Sequence, residues 1–217
     1  MADAIMAGIY GVRGMGKSTL AKEKVKAMER VIVFDPQGEY AYLPGFKPVA
    51  WSDLAREMKK SRFRLSYKPA RGAAPEALHL LCDKILHMRE PYADWMARGR
   101  PGKPPIDQML LAVEEMPVSY PVEKLPAGFW GMTEMCERGR HSGVEVIGLA
   151  QRMATVSTKF RGNCEEFFVF RQDLINDVDA VCKYIGNEYR DQIRNLPQGQ
   201  YLHVISGKAT LKKTKKP

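Results

Sequence analysis

The sequence predicts an α/β protein with a central, mostly parallel sheet flanked by helices, and three observations carry that prediction. Short apolar runs of strand character alternate with amphipathic runs of helix character along most of the 217 residues. One strand-to-helix junction, Gly11-Val12-Arg13-Gly14-Met15-Gly16-Lys17-Ser18, fits the pattern G-x-x-x-x-G-K-[ST]. Two other apolar runs end abruptly in polar side chains, Glu114-Glu115 and Gln151, as strands of an open parallel sheet do where their carboxyl ends meet a ligand.

Residues 4–10 are apolar enough for a buried first strand, and residues 19–29 carry the helix that the junction opens. Residues 31–35 supply a second, aliphatic strand. Ser52 is a candidate N-cap for a short helix through residue 60, because its hydroxyl can accept from an early backbone N–H. Within residues 63–67, Phe63, Leu65 and Tyr67 alternate with Arg64 and Ser66, a strand pattern. Pro75 suits a first helical turn and starts an amphipathic helix with Leu78, Leu81, Cys82, Ile85 and Leu86 on one face. Residues 90–105, rich in Pro, Gly and Arg, read as a loop. Residues 109–113 form a buried strand, and a Pro-rich turn over 117–128 precedes a helix ending near Gly139. Strands are expected at 144–150, 166–171 and 200–205, with 177–196 helical in two pieces broken near Gly186. The expected organisation is one domain over 1–206 and a lysine-rich tail over 207–217.

Composition narrows the classes. A chain of this length suits one α/β domain with a well-buried core, and 45% hydrophobic with 27% charged residues are ordinary globular values. Thirty-four Lys and Arg against 25 Asp and Glu give a net charge of +9, which favours a polyanionic partner, nucleic acid or an anionic membrane face. No apolar run approaches the ~20 residues a bilayer span needs, so no membrane span is expected. Asp3, with no basic region before a long apolar stretch, does not fit a signal peptide, so a cytoplasmic protein is expected. Cys82, Cys136, Cys164 and Cys182 form no C-x-x-C pair and read as reduced packing thiols. His79, His87, His141 and His203 are equally dispersed.

The junction motif carries a mechanism. Glycines at 11, 14 and 16 let the backbone curl until several N–H groups converge on one anion, and the following helix aims its positive end at the same point. Gly11 through Ser18, with Thr19, form a candidate cradle for the phosphates of a nucleoside triphosphate. Lys17 can reach the terminal phosphates, and the Ser18 hydroxyl can ligate magnesium. Hydrolysis further requires a carboxylate to hold the metal and a group to direct water. Glu114 is assigned to Mg2+ and Glu115 to the water. Gln151 can donate to a γ-phosphate or to the attacking water. Asp35-Pro36-Gln37-Gly38-Glu39-Tyr40 is, taken alone, a turn signal.

These motifs occur in a telling order: phosphate loop, D-P-x-G-E-Y after the second strand, an apolar strand ending E-E, and an apolar strand ending A-Q-R. In that arrangement the chain closely resembles the HerA–FtsK superfamily of DNA-pumping ATPases. Arg138-Gly139-Arg140-His141-Ser142-Gly143 is similar to that family's approach to the glutamine strand, and Leu196-Pro197-Gln198-Gly199-Gln200 to its ending. The resemblance covers roughly residues 5–205. It implies a RecA-like (ASCE) P-loop NTPase core that binds ATP and Mg2+ and works as a homo-oligomeric ring, usually a hexamer, around double-stranded DNA. It also implies that the Gln151 strand lies between the phosphate-loop strand and the acidic strand. A neighbouring subunit's arginine would complete each site; Arg138, Arg140, Arg152, Arg161 and Arg171 are the candidates, with Arg140 and Arg161 preferred.

Two departures matter. Glu114 stands where this class more often has Asp, and the accessory domains of cellular members are not in this chain. A bare motor core of this size looks most like the genome-packaging ATPases of membrane-containing double-stranded DNA viruses. That implies a motor in the host cytoplasm or on the virion, at a capsid portal vertex. The alternatives are a HerA-like DNA repair translocase, a filamentous-phage assembly ATPase, a small-molecule P-loop kinase, and a nucleotide-gated scaffold with an inert glutamate pair. Three basic regions are open to two readings, DNA contact or solvated surface: Arg89, Tyr92, Trp95, Arg98, Arg100 and Lys103; Lys159 to Arg161; and the tail lysines 208, 212, 213, 215 and 216.

Overall fold

Uninterrupted apolar runs become central strands because both of their faces are buried. The computed structural model describes residues 4–215; Asp3 and Lys216, invoked above, lie outside the described residues. The strands are β1 Met6–Tyr10, β2 Arg30–Phe34, β3 Lys47–Pro48, β4 Phe63–Tyr67, β5 Met109–Val113, β6 Val144–Ala150, β7 Glu166–Val169, β8 Gln200–Ile205 and β9 Lys208–Lys213. They form one sheet in the order β3-β4-β2-β5-β6-β1-β7-β8-β9. Pairing is parallel from β3 to β7 and antiparallel for β7–β8 and β8–β9. This is the expected α/β fold with a mostly parallel sheet, and β6 lies between β1 and β5 as the resemblance implies.

Helices cover both faces: α1 Lys17–Ala27, α2 Leu54–Met58, α3 Ala74–Met88, α4 Glu90–Ala97, α5 Met116–Ser119, α6 Gly131–Arg138, α7 Thr158–Asn163, α8 Ile175–Ile185 and α9 Arg190–Asn195. Side chains alternate across the sheet. Ile9, Val31, Val33, Leu110, Leu149 and Phe168 meet Leu20, Ala21 and Val25 of α1. Ile32, Phe34, Leu111, Val113 and Val146 share the larger core on the other side with Leu78, Leu81, Met135 and Val181. Each such fully buried aliphatic contributes about 1.5–3 kcal/mol of transfer free energy.

The structure corrects four expectations. Residues 90–105 are not all loop: α4 forms, with Pro91 in its first turn, where a missing N–H costs nothing, and Tyr92 and Trp95 buried. Ser52 is no side-chain cap, because Trp51–Asp53 is a 3-10 turn running straight into α2. The Pro-rich stretch opens with the single-turn helix α5. The expected tail folds as far as Lys213 into edge strand β9. Ser206 and Gly207, at φ 49 and 75, make the two-residue turn with left-handed backbone that matches the twist of a hairpin.

Candidate functional site

Where β1 ends, the chain leaves the sheet between β6 and β7. The Gly11 N–H donates to the Ala150 carbonyl (3.3 Å) and the Val12 N–H to that of Arg171 (2.9 Å). Gly14 and Gly16 then take left-handed backbone, φ 79 and 109, which lets α1 start at Lys17. The loop is also held from outside. Gln198 Nε2 donates to the Gly14 carbonyl (3.0 Å), and the Gly199 N–H donates to that of Met15 (3.0 Å). Lys17 Nζ donates to the Val12 carbonyl at 3.0 Å. Burial lowers the Lys17 pKa, and the charges of Glu115 and Glu114 oppose the shift.

The acidic strand arrives two strands away. The Glu114 N–H still donates to Phe34 O (3.0 Å), extending the β2–β5 ladder. At Glu115 the backbone turns left-handed, φ 50 and ψ 52, a conformation that costs a non-glycine residue roughly 1 kcal/mol or more. Its carbonyl accepts from the Val118 N–H (2.8 Å), starting α5. The Glu114 carboxylate accepts a hydrogen bond from the Tyr40 hydroxyl. Burial pushes the Glu114 pKa up to about 7; the Tyr40 bond opposes this, and the negative neighbours Asp35, Glu115 and Glu39 add to it.

The loop after β2 is built around Asp35, which is 1% exposed. Its Oδ1 accepts from the N–H groups of Gly38 (2.8 Å) and Glu39 (3.1 Å). Its Oδ2 accepts from the Tyr40 N–H (2.8 Å) and the Ser66 hydroxyl (2.9 Å). The hexapeptide, a turn signal when taken alone and part of the family resemblance, also brings side chains to the site that were not among the expected site residues: Gln37 and Glu39 line the cavity, and Tyr40 meets Glu114.

All these parts open onto one cavity of about 450 Å³ at the carboxyl edge of the sheet, lined by Arg13, Gly14, Lys17, Ser18, Gln37, Glu39, Glu114, Glu115, Leu149, Ala150 and Gln151. Gly11, Val12, Met15, Gly16 and Thr19 shape the loop without lining the cavity. The Ser18 hydroxyl and the Glu114 carboxylate are hard oxygen donors on the same cavity, a set that fits Mg2+, which takes few protein ligands and keeps waters and phosphates.

The two preferred arginines are not part of this cavity. Arg161 is 7% exposed, with its guanidinium 5.9 Å from the Tyr184 ring, so it is largely buried within its own copy. Arg140 lines a separate cavity with Ala4, Glu137, His141 and Glu165 at the amino ends of the strands, at the opposite edge of the sheet from the cavity that Lys17 lines. Arg152 pairs with Asp177 (2.9 Å) and Arg171 with Asp173 (3.1 Å). Of the residues expected to touch DNA, Arg89, Tyr92 and Trp95 are buried and drop out. Arg98, Arg100 and Lys103 are exposed, as are Lys208, Lys212 and Lys213 of β9. Among the described residues no helix is long and apolar enough to cross a membrane.

Sheet order and loop define an α/β protein with the P-loop ATPase fold. Solved structures share that fold. Among solved structures, the chain is similar to the genome-packaging NTPase B204 of Sulfolobus turreted icosahedral virus 2 in complex with ATP-gammaS, with a TM-score of 0.72 and 18% identity over 99% of this chain and 98% of that one. It is also similar to the pCW3 conjugation coupling protein TcpA (TM-score 0.65, 11% identity, 97% of this chain and 60% of that one). VirB4 of Thermoanaerobacter pseudethanolicus matches at a TM-score of 0.63 and 11% identity, over 97% of this chain and 89% of that one. At these identities the likeness establishes the fold. No protein-family model matches the chain, and no curated sequence does.

Proposed function

We propose that the protein is an ATP-hydrolysing double-stranded DNA translocase of the HerA–FtsK superfamily, working as a viral genome-packaging motor. One observation carries the reading: Lys17 and Ser18 at the start of α1, Glu114 and Glu115 after β5, and Gln151 after β6 share a single cavity. ATP phosphates would lie against the loop N–H groups and the positive end of α1, with Lys17 neutralising charge on the transferring group. Ser18 and Glu114 would hold Mg2+, which supplies charge neutralisation at the β- and γ-phosphates when bound. Glu115 accepts the proton of the attacking water, and Gln151 donates to the γ-phosphate. The likeness in fold to B204, over nearly the whole of both chains, favours packaging over the repair, phage-assembly and kinase readings.

The net charge of +9 and the exposed basic side chains of 98–103 and β9 suit a sequence-independent grip on duplex phosphates. In a homo-oligomeric ring, a hexamer in this reading, Arg140 of one copy would serve the site of the next. The motor would act in the host cytoplasm or at a capsid portal vertex. The test is phosphate release measured with and without duplex DNA of unrelated sequences. We expect stimulation by DNA that falls steeply with salt, with Lys17→Ala inactive in both conditions. Turnover that ignores DNA and needs a small phosphate acceptor refutes the motor.

A further inference from the structure

The D-P-Q-G-E-Y loop is the one sequence motif to which the proposed hydrolysis gives no task, and it touches the acidic strand at a single side-chain hydrogen bond, from the Tyr40 hydroxyl to Glu114 Oε1. Resting on the assignment of Glu114 to the metal, we infer that Tyr40 is a positioning residue for Glu114. The hydroxyl occupies one carboxylate oxygen and orients the other, so that the loop after β2 governs the metal-holding carboxylate just past the end of β5.

Three features support the inference. First, Tyr40 is 0% exposed, so its ring is held rather than swinging in solvent, with the edge of Phe46 packed against it at 6.0 Å between centroids. Second, its backbone is fixed at the other end: Asp35 Oδ2 accepts the Tyr40 N–H at 2.8 Å, and the same oxygen accepts the hydroxyl of Ser66 on the neighbouring strand β4. The path from β4 through Asp35 and Tyr40 to Glu114 therefore runs through two buried hydrogen bonds and a half-buried one, from β4 past β2 to the end of β5. Third, Glu114 carries its carboxylate on a glutamate side chain. A glutamate has one more rotatable bond than an aspartate, so its carboxylate needs an outer partner to define where it points. Hydrogen-bonded partners of metal-holding carboxylates typically account for 10–100-fold in metal affinity, roughly the effect expected here.

The experiment is a titration of a fluorescent, non-hydrolysable ATP analogue in EDTA and then across a Mg2+ series, on wild type, Tyr40→Phe, Glu114→Ala and the double variant. Tyr40→Phe keeps the ring and its packing and removes only the hydroxyl. Its melting temperature and its analogue affinity in EDTA should match wild type. The Mg2+ concentration giving half-maximal tight binding should rise by about 10-fold or more. Glu114→Ala should raise it as well, and adding Tyr40→Phe to Glu114→Ala should shift it no further. An equal loss in EDTA, an unshifted Mg2+ requirement, or a full Tyr40→Phe effect in the Glu114→Ala background overturns the inference. If Glu114→Ala shifts the requirement and Tyr40→Phe does not, the positioning role alone falls. If Glu114→Ala leaves it unchanged, the metal assignment falls first and takes the inference with it.

Discussion

Arg89→Met separates two incompatible readings of one arginine. In sequence Arg89 sits among bases and aromatics that suit a polyanion; in the structure it is 2% exposed and lies over the Tyr92 ring at 4.9 Å. Its Nε donates to the Ser142 carbonyl (2.8 Å), Nη1 to that of Asp107 (2.6 Å) and Nη2, at 3.4 Å, to that of Gly143. One side chain thereby ties the α3–α4 junction to the approaches of β5 and β6. Burial lowers its pKa to about 10, which still leaves it charged at neutral pH. Hydrogen bonds from a charged donor are worth roughly 1.5–3 kcal/mol each, and two of the three are short. Part of that is offset because methionine costs nothing to desolvate, leaving a loss of about 3 kcal/mol. For a chain of this size that is a fall of roughly 10 °C in melting temperature. Urea and thermal melts followed by circular dichroism measure it. A variant within ~1 kcal/mol of wild type that binds duplex DNA more weakly would overturn the structural role and restore Arg89 to the DNA surface.

Two further outcomes follow from the same geometry. Glu115→Gln should bind ATP as tightly as wild type and lower kcat by about 10²–10⁴-fold, the usual share of a general base, as measured by single-turnover phosphate release; unchanged turnover would make the glutamate pair inert. Glu57, buried at the end of α2, is held down to about 2 from its ordinary value of 4.5 by Lys60 at 2.6 Å and Lys47 at 2.9 Å. Because the folded carboxyl titrates lower than the unfolded one, its stabilisation is complete above 4.5 and disappears as pH falls toward 2. The gap in urea midpoint between wild type and Glu57→Gln should therefore narrow through that window, and a constant gap would disprove the ion pairing.

Much of the site is readable in the chain because its parts are local. A glycine-rich loop and an apolar run ending in acids declare themselves over five to eight residues, and β5 and β6 have the bounds their composition suggests. Tyr40 was hidden because its partner lies 74 residues away and meets it only through the β2–β5 pairing. Strand β9 was hidden by its lysines, which read as a basic tail, either solvated or in contact with DNA; the hairpin turn lies at Ser206 and Gly207 and leaves no hydrophobic pattern. Arg89 and Arg161 were misplaced for a common reason: nothing in a one-dimensional pattern distinguishes an arginine whose guanidinium finds carbonyls or a ring inside the protein from one facing water.

The margin of the sheet beyond β8 has a consequence for how copies of this molecule can meet. Strand β9 leaves a rim of backbone donors and acceptors that another chain could extend by simple addition. Yet Lys208, Lys212 and Lys213 stud that rim, and a second copy docking strand to strand would face ammonium with ammonium. Pairing of two copies through this strand is thereby discouraged, and the rim stays open to water.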